Sequence, residues 1–535
     1  MLDRGPDPRR YDTPWRGLLA LTAASIVLRA WIFAWFRLGA PLGEDAQFWG
    51  YRALELADGQ LVGSHPPGYP VLALLYGALT GWDVAYSAQA VSYIGGALMA
   101  PAIALGLTPI VGRGAALLSG AFVVLLPALG VASLRVEPTS LFIVLIGVLL
   151  FATGRAIERR SPALGALAGI LVPLMGLVKE NGLLYTLVLV PAIFVALRER
   201  NARFGLAVLG AFCTGSGAVL ALDSLHHTGE APSAERAEVV QKRVVAGEKP
   251  PPEMADLSHK VSLPVVDVID LVSTGYLPPP ILAKEDSAIQ PSGAVLAELA
   301  AADTAPARRL VLYAEIQARR MWRFLGVWLL AAPFAAWAAW KAHRDGELER
   351  WQLAMLGVLT LCLVPGMFVL IQPRHAEFGA LGIVAASALA VTRAAPRKLR
   401  LFTLLALALA AVHGAHLFHA REFEPLKYLT RSARERLAAA RTVQRLVPAT
   451  ANLCSPSFWI GFYTDRLVLD CARGADIEAG EPTWYVGERA EITGFAEAMA
   501  PRGGTLAMQA TLSGESFDKL LVGEIVWGGQ RSTRP

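Results

Sequence analysis

The chain has 535 residues, of which 54% are hydrophobic and only 17% are charged. Soluble proteins carry about 25% charged residues, and the mean hydropathy here is +0.44, so the composition excludes an ordinary soluble protein and indicates an integral membrane protein. The net charge of +5 is explained by topology and by membrane lipids at the cytoplasmic surface, and it indicates no nucleic-acid partner.

Apolar windows of about 20 residues, long enough to cross a membrane, recur through most of the chain. They predict an all-α polytopic membrane protein with about eleven transmembrane helices. A further apolar piece, 67–80, contains Pro67 and Pro70 and favours a short re-entrant or interfacial segment. The predicted spans are 17–36, 84–106, 114–133, 138–157, 162–179, 182–198, 204–222, 323–341, 352–371, 377–393 and 400–419.

Arginine and lysine collect before the first span, after the fourth and sixth spans, and between the last two. With eleven spans, all these clusters fall on one side of the membrane. The positive-inside rule therefore predicts an inner (plasma) membrane protein with a cytoplasmic N-terminus and an outer C-terminus.

Three polar segments then lie on the outer side: the loop 37–83, the insertion 223–322 and the tail 421–535. The tail has a charged helical run at 432–446 and strand-like pieces at 467–469 and 483–486, which predict a small extracytoplasmic α/β domain. The domains are therefore predicted as 1–420 in the membrane and 421–535 outside it. Cys454 and Cys471 both lie in this tail, where an oxidising compartment would allow a disulfide, although their spacing does not prove one.

The first outer loop carries two adjacent carboxylates, Glu44 and Asp45, where a membrane helix meets water. Ala46, Trp49, Ala53 and Leu56 follow at helical spacing and Gly59 is a natural stop, so the pattern predicts a helix over 46–58. Asp45 then has two interpretations. It caps that helix, or it has a functional role, because carboxylates so close to hydrocarbon are costly.

The same loop ends with His65-Pro66-Pro67-Gly68-Tyr69-Pro70, in which the prolines would hold His65 in a fixed place. The order of motifs in this loop resembles the bacterial GT-C glycosyltransferases of the protein O-mannosyltransferase and aminoarabinose transferase type. An acidic residue precedes Ala-Gln-Phe-Trp, an amphipathic helix follows, and Pro-Pro-Gly-Tyr-Pro comes next. Arg135-Val136-Glu137-Pro138-Thr139 and Pro373-Arg374-His375 resemble two further motifs of that family, with His375 in place of its tyrosine. The similarity covers 15–220 well and 320–420 loosely.

The resemblance implies an enzyme that transfers a sugar from a polyprenyl-phosphate donor to a lipid, glycan or protein acceptor on the outer face. Asp45 matches the family's aspartate, which would accept the proton of the acceptor hydroxyl as the anomeric carbon is inverted. Many relatives read Asp-Glu at this position, whereas this chain reads Glu44-Asp45, so Glu44 stays an alternative base.

Cations are needed at the phosphate of the donor, where charge develops as the glycosidic bond breaks. The residues that could supply these cations also have structural explanations. Lys179, for example, is equally well explained by an ion pair with the adjacent Glu180. Glu137, a further pocket candidate with His375, is also favoured by the dipole of the helix that it would begin. The candidate phosphate-binding residues are Arg374, His65, Lys179 and Arg135.

No glycine-rich phosphate loop or Rossmann pattern occurs, which disfavours a soluble nucleotide-sugar enzyme fused to an anchor. No ligand spacing supports a metal site, and no cofactor is predicted with certainty, although the resemblance leaves a divalent cation open. The competing hypothesis is a transporter or flippase. Transporters usually carry their charges at the bilayer midplane and show repeated halves, and neither feature is evident here.

Overall fold

The structure is a computed structural model. It describes residues 13–42, 46–59, 66–227, 308, 327–361, 380–394, 399–419, 423–469, 481–488, 495–497, 499–514, 517 and 519–527. The chain divides into two compact units whose segments alternate in sequence. The first is Met1–Val27, Gly95–Gly130 and Thr139–Ala420, and the second is Leu28–Ile94, Val131–Pro138 and Arg421–Pro535.

Helices make up most of the described chain. They are α1 (Trp15–Phe36), α2 (Ala46–Ala57), α3 (Gly68–Thr80), α4 (Val84–Val111), α5 (Arg113–Val124), α6 (Pro127–Ala132), α7 (Thr139–Arg159), α8 (Pro162–Val178), α9 (Val190–Arg198), α10 (Ala202–His227), α11 (Val327–Arg344), α12 (Arg350–Leu361), α13 (Leu381–Ala394), α14 (Leu399–Leu417), α15 (Phe423–Leu446) and α16 (Phe458–Thr464). A 3₁₀ segment, Glu180–Leu189, separates α8 from α9.

Each of the eleven predicted spans contains a described helix, but the lengths differ from the prediction. Within the described ranges, four helices are long and apolar enough to cross a membrane: Trp15–Phe36, Val84–Val111, Thr139–Arg159 and Ala202–Val219. Several other apolar helices are shorter, such as Pro162–Val178. The count of eleven spans therefore stays a prediction.

Two predicted spans are interrupted, and a proline lies at each break. The window 114–133 divides into α5 and α6 at Pro127, the first residue of α6. The window 182–198 begins as the 3₁₀ segment, and Pro191 lies in the first turn of α9. Proline lacks a backbone N–H and is favoured in the first turn of a helix, which is where Pro127 and Pro191 lie. Proline alone does not break these helices, because α4 continues through Pro101 and Pro109.

The helices of the first unit pack closely through small residues. A Cβ atom built on Gly147 of α7 would overlap the backbone of Ala102 of α4, and one built on Gly106 would overlap the backbone of Gly147. A Cβ atom built on Gly169 of α8 would likewise overlap the backbone of Val208 of α10, and one built on Gly165 would come within 3.0 Å of the Phe204 and Val208 side chains. Small residues are the usual means by which membrane helices approach each other.

The second unit contains a four-stranded sheet. Its strands are β1 (Asn452–Cys454), β2 (Thr483–Glu488), β3 (Gly504–Leu512) and β4 (Leu520–Trp527), in the order β1-β2-β4-β3. β1 is parallel to β2, while β4 is antiparallel to both of its neighbours. Because parallel strands need a crossover, the connection from β1 to β2 is long, and it contains α16.

The tail predictions have mixed outcomes. The strand at 483–486 is confirmed as part of β2, and the helical run at 432–446 forms part of α15. That helix begins earlier, at Phe423, because the apolar stripe continues back through Leu426 and Leu429, which are buried. Of the strand-like piece predicted at 467–469, only Leu469 is paired: it forms an isolated parallel bridge with Cys454 of β1. Cys454 is disulfide-bonded; Cys471 lies outside the described residues, so their pairing stays a prediction.

Candidate active site

The chain that leads to the two adjacent carboxylates is held in place by its backbone. Leu42 is fully buried and forms a parallel bridge with Arg135. The backbone N–H of Val136 donates to the Leu42 carbonyl oxygen at 2.8 Å. The structure therefore brings the Arg135–Glu137 segment, predicted from sequence to belong to the site, beside Leu42, which precedes Glu44 by two residues in the sequence.

The helix that follows Asp45 agrees with the sequence. α2 begins at Ala46 and ends at Ala57, and Gly59 has the left-handed backbone (φ +82°) that favours glycine. Trp49 is buried and Ala53 is fully buried, as the helical spacing predicted. The helix is confirmed; its place at the membrane interface stays a prediction.

Tyr69 of the Pro-Pro-Gly-Tyr-Pro motif is fully buried at the start of α3. Its hydroxyl donates to the Ala88 carbonyl oxygen at 2.6 Å and shares a hydrogen bond of 2.8 Å with the Ser92 hydroxyl. The Trp49 and Tyr69 rings meet edge to face, with centroids 6.0 Å apart. The tyrosine of the motif thus connects α2, α3 and α4.

The segment carrying Arg135 and Glu137 is fixed by α4. The Ser92 hydroxyl oxygen lies 3.0 Å from the Glu137 carbonyl oxygen and 3.3 Å from the Glu137 backbone nitrogen, and its one proton goes either to that carbonyl oxygen or to Tyr69. The Gln89 amide donates to the Leu134 carbonyl oxygen at 3.0 Å. Glu137 is 3% exposed, so its carboxyl group lies in the protein interior. Glu137 does not begin α7, which starts at Thr139; the prediction on this point is wrong, because the Glu137 N–H closes a tight bend onto the Arg135 carbonyl oxygen at 3.0 Å and Pro138 lies between this bend and the helix.

Lys179 belongs to the first unit. It is buried, it has an extended backbone that ends α8, and its amino group donates to the Thr139 hydroxyl at 3.3 Å. This contact places Lys179 beside the first turn of α7. The side chain of Glu180 lies outside the described residues, so the predicted ion pair with Lys179 is not tested.

The other predicted site residues lie outside the described residues: Glu44, Asp45, His65, Arg374 and His375. Among the residues that the structure does describe, no three His, Cys, Asp or Glu side chains form a group that could hold a metal. A divalent cation at Glu44, Asp45 or His65 is therefore not tested.

Sequence reasoning missed the roles of Ser92 and Gln89, and it treated Tyr69 only as part of a stiff turn. Ser92 and Gln89 lie inside a predicted span, where hydroxyl and amide groups need a partner. The need for a hydrogen-bond partner is the only sign of these roles in the sequence, and it does not specify which group is the partner.

No family model and no curated protein sequence matches the chain significantly. The likeness to known proteins lies in the structure, where solved structures match over nearly the whole chain. The chain has the fold of the GT-C superfamily.

Two of the similar structures are of ArnT from Cupriavidus metallidurans. The form bound to undecaprenyl phosphate has a TM-score of 0.57 at 13% identity, covering 97% of this chain and 100% of that chain. The apo form has a TM-score of 0.54 at 13% identity, with 96% and 100% covered. The oligosaccharyltransferase of Archaeoglobus fulgidus, in complex with Zn and sulfate, has a TM-score of 0.51 at 12% identity, with 94% and 72% covered.

Proposed function

We propose that this protein is a membrane glycosyltransferase that moves a sugar from a polyprenyl-phosphate donor to a lipid, glycan or protein acceptor on the outer face of the inner membrane. The observation that carries the proposal is the pairing of Leu42 with Arg135 in a chain of the GT-C fold. It brings a segment with a guanidinium group beside the segment that leads to two carboxylates. The ArnT structure with bound undecaprenyl phosphate is a precedent for the lipid-phosphate ligand.

In the proposed reaction, Asp45 accepts the proton of the acceptor hydroxyl. The acceptor oxygen attacks the anomeric carbon from the face opposite the phosphate, so the configuration inverts. The bond between the anomeric carbon and the phosphate oxygen breaks, and the electron pair leaves with the polyprenyl phosphate. Glu44 is the alternative base.

The leaving phosphate gains negative charge, so the proposal requires cations around it. Arg135 is partly exposed, and a guanidinium group can hold two phosphate oxygens through parallel hydrogen bonds. Glu137, buried two residues further on, lines the pocket in this proposal, together with His375. The remaining proposed phosphate ligands are Arg374, His65 and Lys179.

The orientation predicted from charge forms part of the proposal. The N-terminus lies in the cytoplasm, about eleven helices cross the membrane, and the insertion 223–322 and the tail 421–535 lie outside. Glycosyl transfer from a lipid carrier on the outer face needs the first loop and the tail on that same side.

The test is sugar transfer by the purified protein in lipid nanodiscs with polyprenyl-phosphate sugars and candidate acceptors. We expect Asp45→Asn to lower kcat by about 10²–10⁴-fold, the usual contribution of a general base. The matched control is Asp58→Asn, because Asp58 is an exposed carboxylate just after the same helix. Wild-type rates in Asp45→Asn, with loss of activity in Glu44→Gln, would move the base to Glu44.

The purified protein reconstituted in sealed vesicles separates the transferase from a transporter or flippase. A transferase forms a new glycosidic bond that mass spectrometry detects on the acceptor. A transporter in sealed vesicles would move labelled lipid or sugar across the membrane without that product. Movement without product would overturn the proposed function.

A further inference from the structure

We propose that a cleft of the first unit binds an anionic phospholipid of the membrane, with the lipid phosphate between Arg113 and Lys341. The cleft lies where α4 meets α5, beside the ends of α11 and α13. It contains none of the residues assigned to the proposed active site. In the orientation of the proposed function it lies at the cytoplasmic ends of these helices, and only this placement rests on that function.

The cleft is large enough for a lipid headgroup and part of its chains. Its volume is about 800 Å³, and small-molecule sites usually have about 300–1,000 Å³. Along α11 the lining changes from apolar to charged, because Phe334 and Trp337 come first and Lys341 and Asp345 follow. Lys341 lies about 10 Å along the helix axis from Phe334. The cleft therefore has an apolar wall and a charged end, as an amphipathic ligand requires.

Glycine places the first cation at the cleft. Gly112 has a positive φ of 81°, which glycine adopts without steric cost, and it forms the corner at which α4 ends and α5 begins. Arg113 follows directly and is exposed. A Cβ atom built on Gly114 would lie 3.9 Å from the Thr392 side chain, so the start of α5 lies close to the end of α13.

A group of three charges at the cleft is already satisfied. The Arg393 guanidinium of α13 donates from one nitrogen to Asp345 and to Glu347, at 2.9 Å each. Both carboxylates belong to the turn after α11. These bonds hold that turn against the end of α13, so one side of the cleft is formed before any ligand binds.

Two further cations remain for a ligand. Among the residues that the structure describes, neither Arg113 nor Lys341 has a carboxylate within ion-pair distance. Lys341 lies over the Trp337 ring, with its Nζ atom 5.1 Å from the ring centroid. Three cationic and two anionic side chains line the cleft, a net charge of +1, and a ligand with one negative charge would neutralise it.

The end of α11 has the composition of a helix that leaves a membrane. Trp337 and Trp340 are 58% and 51% exposed, and Phe334 is 74% exposed. The last turn carries Lys341 and Arg344. Tryptophan and basic residues concentrate where membrane helices meet lipid headgroups. A free phosphate ion would use the cations alone, whereas a phospholipid also covers the exposed rings of Phe334 and Trp337, so the apolar wall favours the lipid.

A phosphodiester complements the two cations. The Arg113 guanidinium can hold two phosphate oxygens through parallel hydrogen bonds, and the Lys341 ammonium adds a point charge. An acidic headgroup, as in phosphatidylglycerol, brings only negative charge to this pair. The zwitterionic headgroup of phosphatidylcholine also brings a positive charge close to the same cations, so the cleft should prefer phosphatidylglycerol.

Native mass spectrometry tests this preference on the full chain, purified in detergent and titrated with phosphatidylglycerol or phosphatidylcholine of the same chain length. We expect wild type to bind one phosphatidylglycerol about tenfold more tightly than phosphatidylcholine, and the double variant Arg113→Gln/Lys341→Gln to lose that preference. Arg344→Gln is the matched control, because it removes a cation from the same end of α11 but outside the cleft. It should keep the preference.

A second variant tests the cleft without changing its charges. Ala390 of α13 lines the cleft and is partly exposed. Ala390→Leu would narrow the apolar wall, and we expect it to weaken phosphatidylglycerol binding about tenfold. The same titration measures this change.

Equal binding of the two lipids to wild type would overturn the proposal. So would a preference that survives in the double variant, binding that is unchanged in Ala390→Leu, or an equal loss in Arg344→Gln, because the lipid would then lie outside the cleft. Displacement of phosphatidylglycerol by excess inorganic phosphate would assign the cleft to a soluble anion instead. None of these measurements needs a sugar donor, so a failure here is distinct from a failure of the proposed function.

Discussion

Asp465 accepts a hydrogen bond from the backbone N–H of Val84, with its Oδ1 atom 3.2 Å from the nitrogen. Val84 is the first residue of α4, so the bond satisfies one of the N–H groups that a helix leaves open at its start. Asp465 ends α16 in the left-handed conformation (φ 53°). An aspartate 381 residues along the chain from Val84 therefore acts like an N-cap.

The environment of Asp465 predicts a pH effect. Burial raises the pKa of its carboxyl group and nearby Asp83 adds to this, while the Val84 N–H opposes them. A carboxyl group with a raised pKa binds its proton more tightly in the folded protein, so stability is greater at low pH. It falls as the pH rises past about 3.9, the ordinary Asp pKa, through the raised value.

We expect Asp465→Asn to remove the loss of stability that occurs as the pH rises. Because asparagine keeps an acceptor for the Val84 N–H, the variant should be at least as stable as wild type at pH 7. Asp465→Ala should instead lose about 1 kcal/mol through the missing cap. Thermal unfolding between pH 4 and pH 7, in the same detergent, measures both. A pH dependence that survives in Asp465→Asn would assign the effect to another group.

Removing the Tyr69 hydroxyl should loosen the segment that carries Glu137. Tyr69→Phe loses the bonds to Ala88 and Ser92, and we expect unfolding to become easier by about 1 kcal/mol. Tyr76→Phe is the control on the same helix, because the Tyr76 hydroxyl has no hydrogen bond to any residue within the described ranges. Denaturation monitored by tryptophan fluorescence compares the two variants. Equal stability of both would contradict the role of Tyr69.

Arg135→Gln should weaken donor binding. If Arg135 holds the phosphate, its loss should raise the KM for the polyprenyl-phosphate sugar about tenfold or more, with Arg135→Lys recovering part of it. Initial rates at varied donor concentration give KM and kcat separately. Arg350→Gln, an exposed arginine at the start of α12, is the control. An unchanged KM in Arg135→Gln would remove Arg135 from the phosphate site.

Gly147→Ala should destabilise the first unit. The added Cβ atom would overlap the backbone of Ala102, and overpacking of this kind costs about 1–3 kcal/mol. Gly210→Ala in α10 is the opposite case, since a Cβ atom there meets nothing within 4 Å and alanine favours the helix by up to about 1 kcal/mol. Melting temperatures in detergent should therefore move in opposite directions. A Gly147→Ala protein as stable as wild type would show that α4 and α7 can separate at little cost.

Local chemistry made parts of this protein predictable. α2 and its end at Gly59 followed from apolar spacing and from the backbone freedom of glycine, and the strand at 483–486 followed from its β-branched and aromatic residues. The failures are of a different kind. The breaks at Pro127 and Pro191 lie inside strongly apolar windows, and hydropathy does not show where a continuous apolar stretch is interrupted.

By itself, the sequence determined which segments are apolar helices and which loop carries Glu44 and Asp45, because hydropathy and helical spacing are properties of neighbouring residues. Only the tertiary structure decided that Leu42 pairs with Arg135 and that Tyr463 reaches Pro41, 422 residues away along the chain. A buried hydroxyl or carbonyl group must find a partner. Which partner it finds depends on how the whole chain folds, and no pattern of neighbouring residues carries that information.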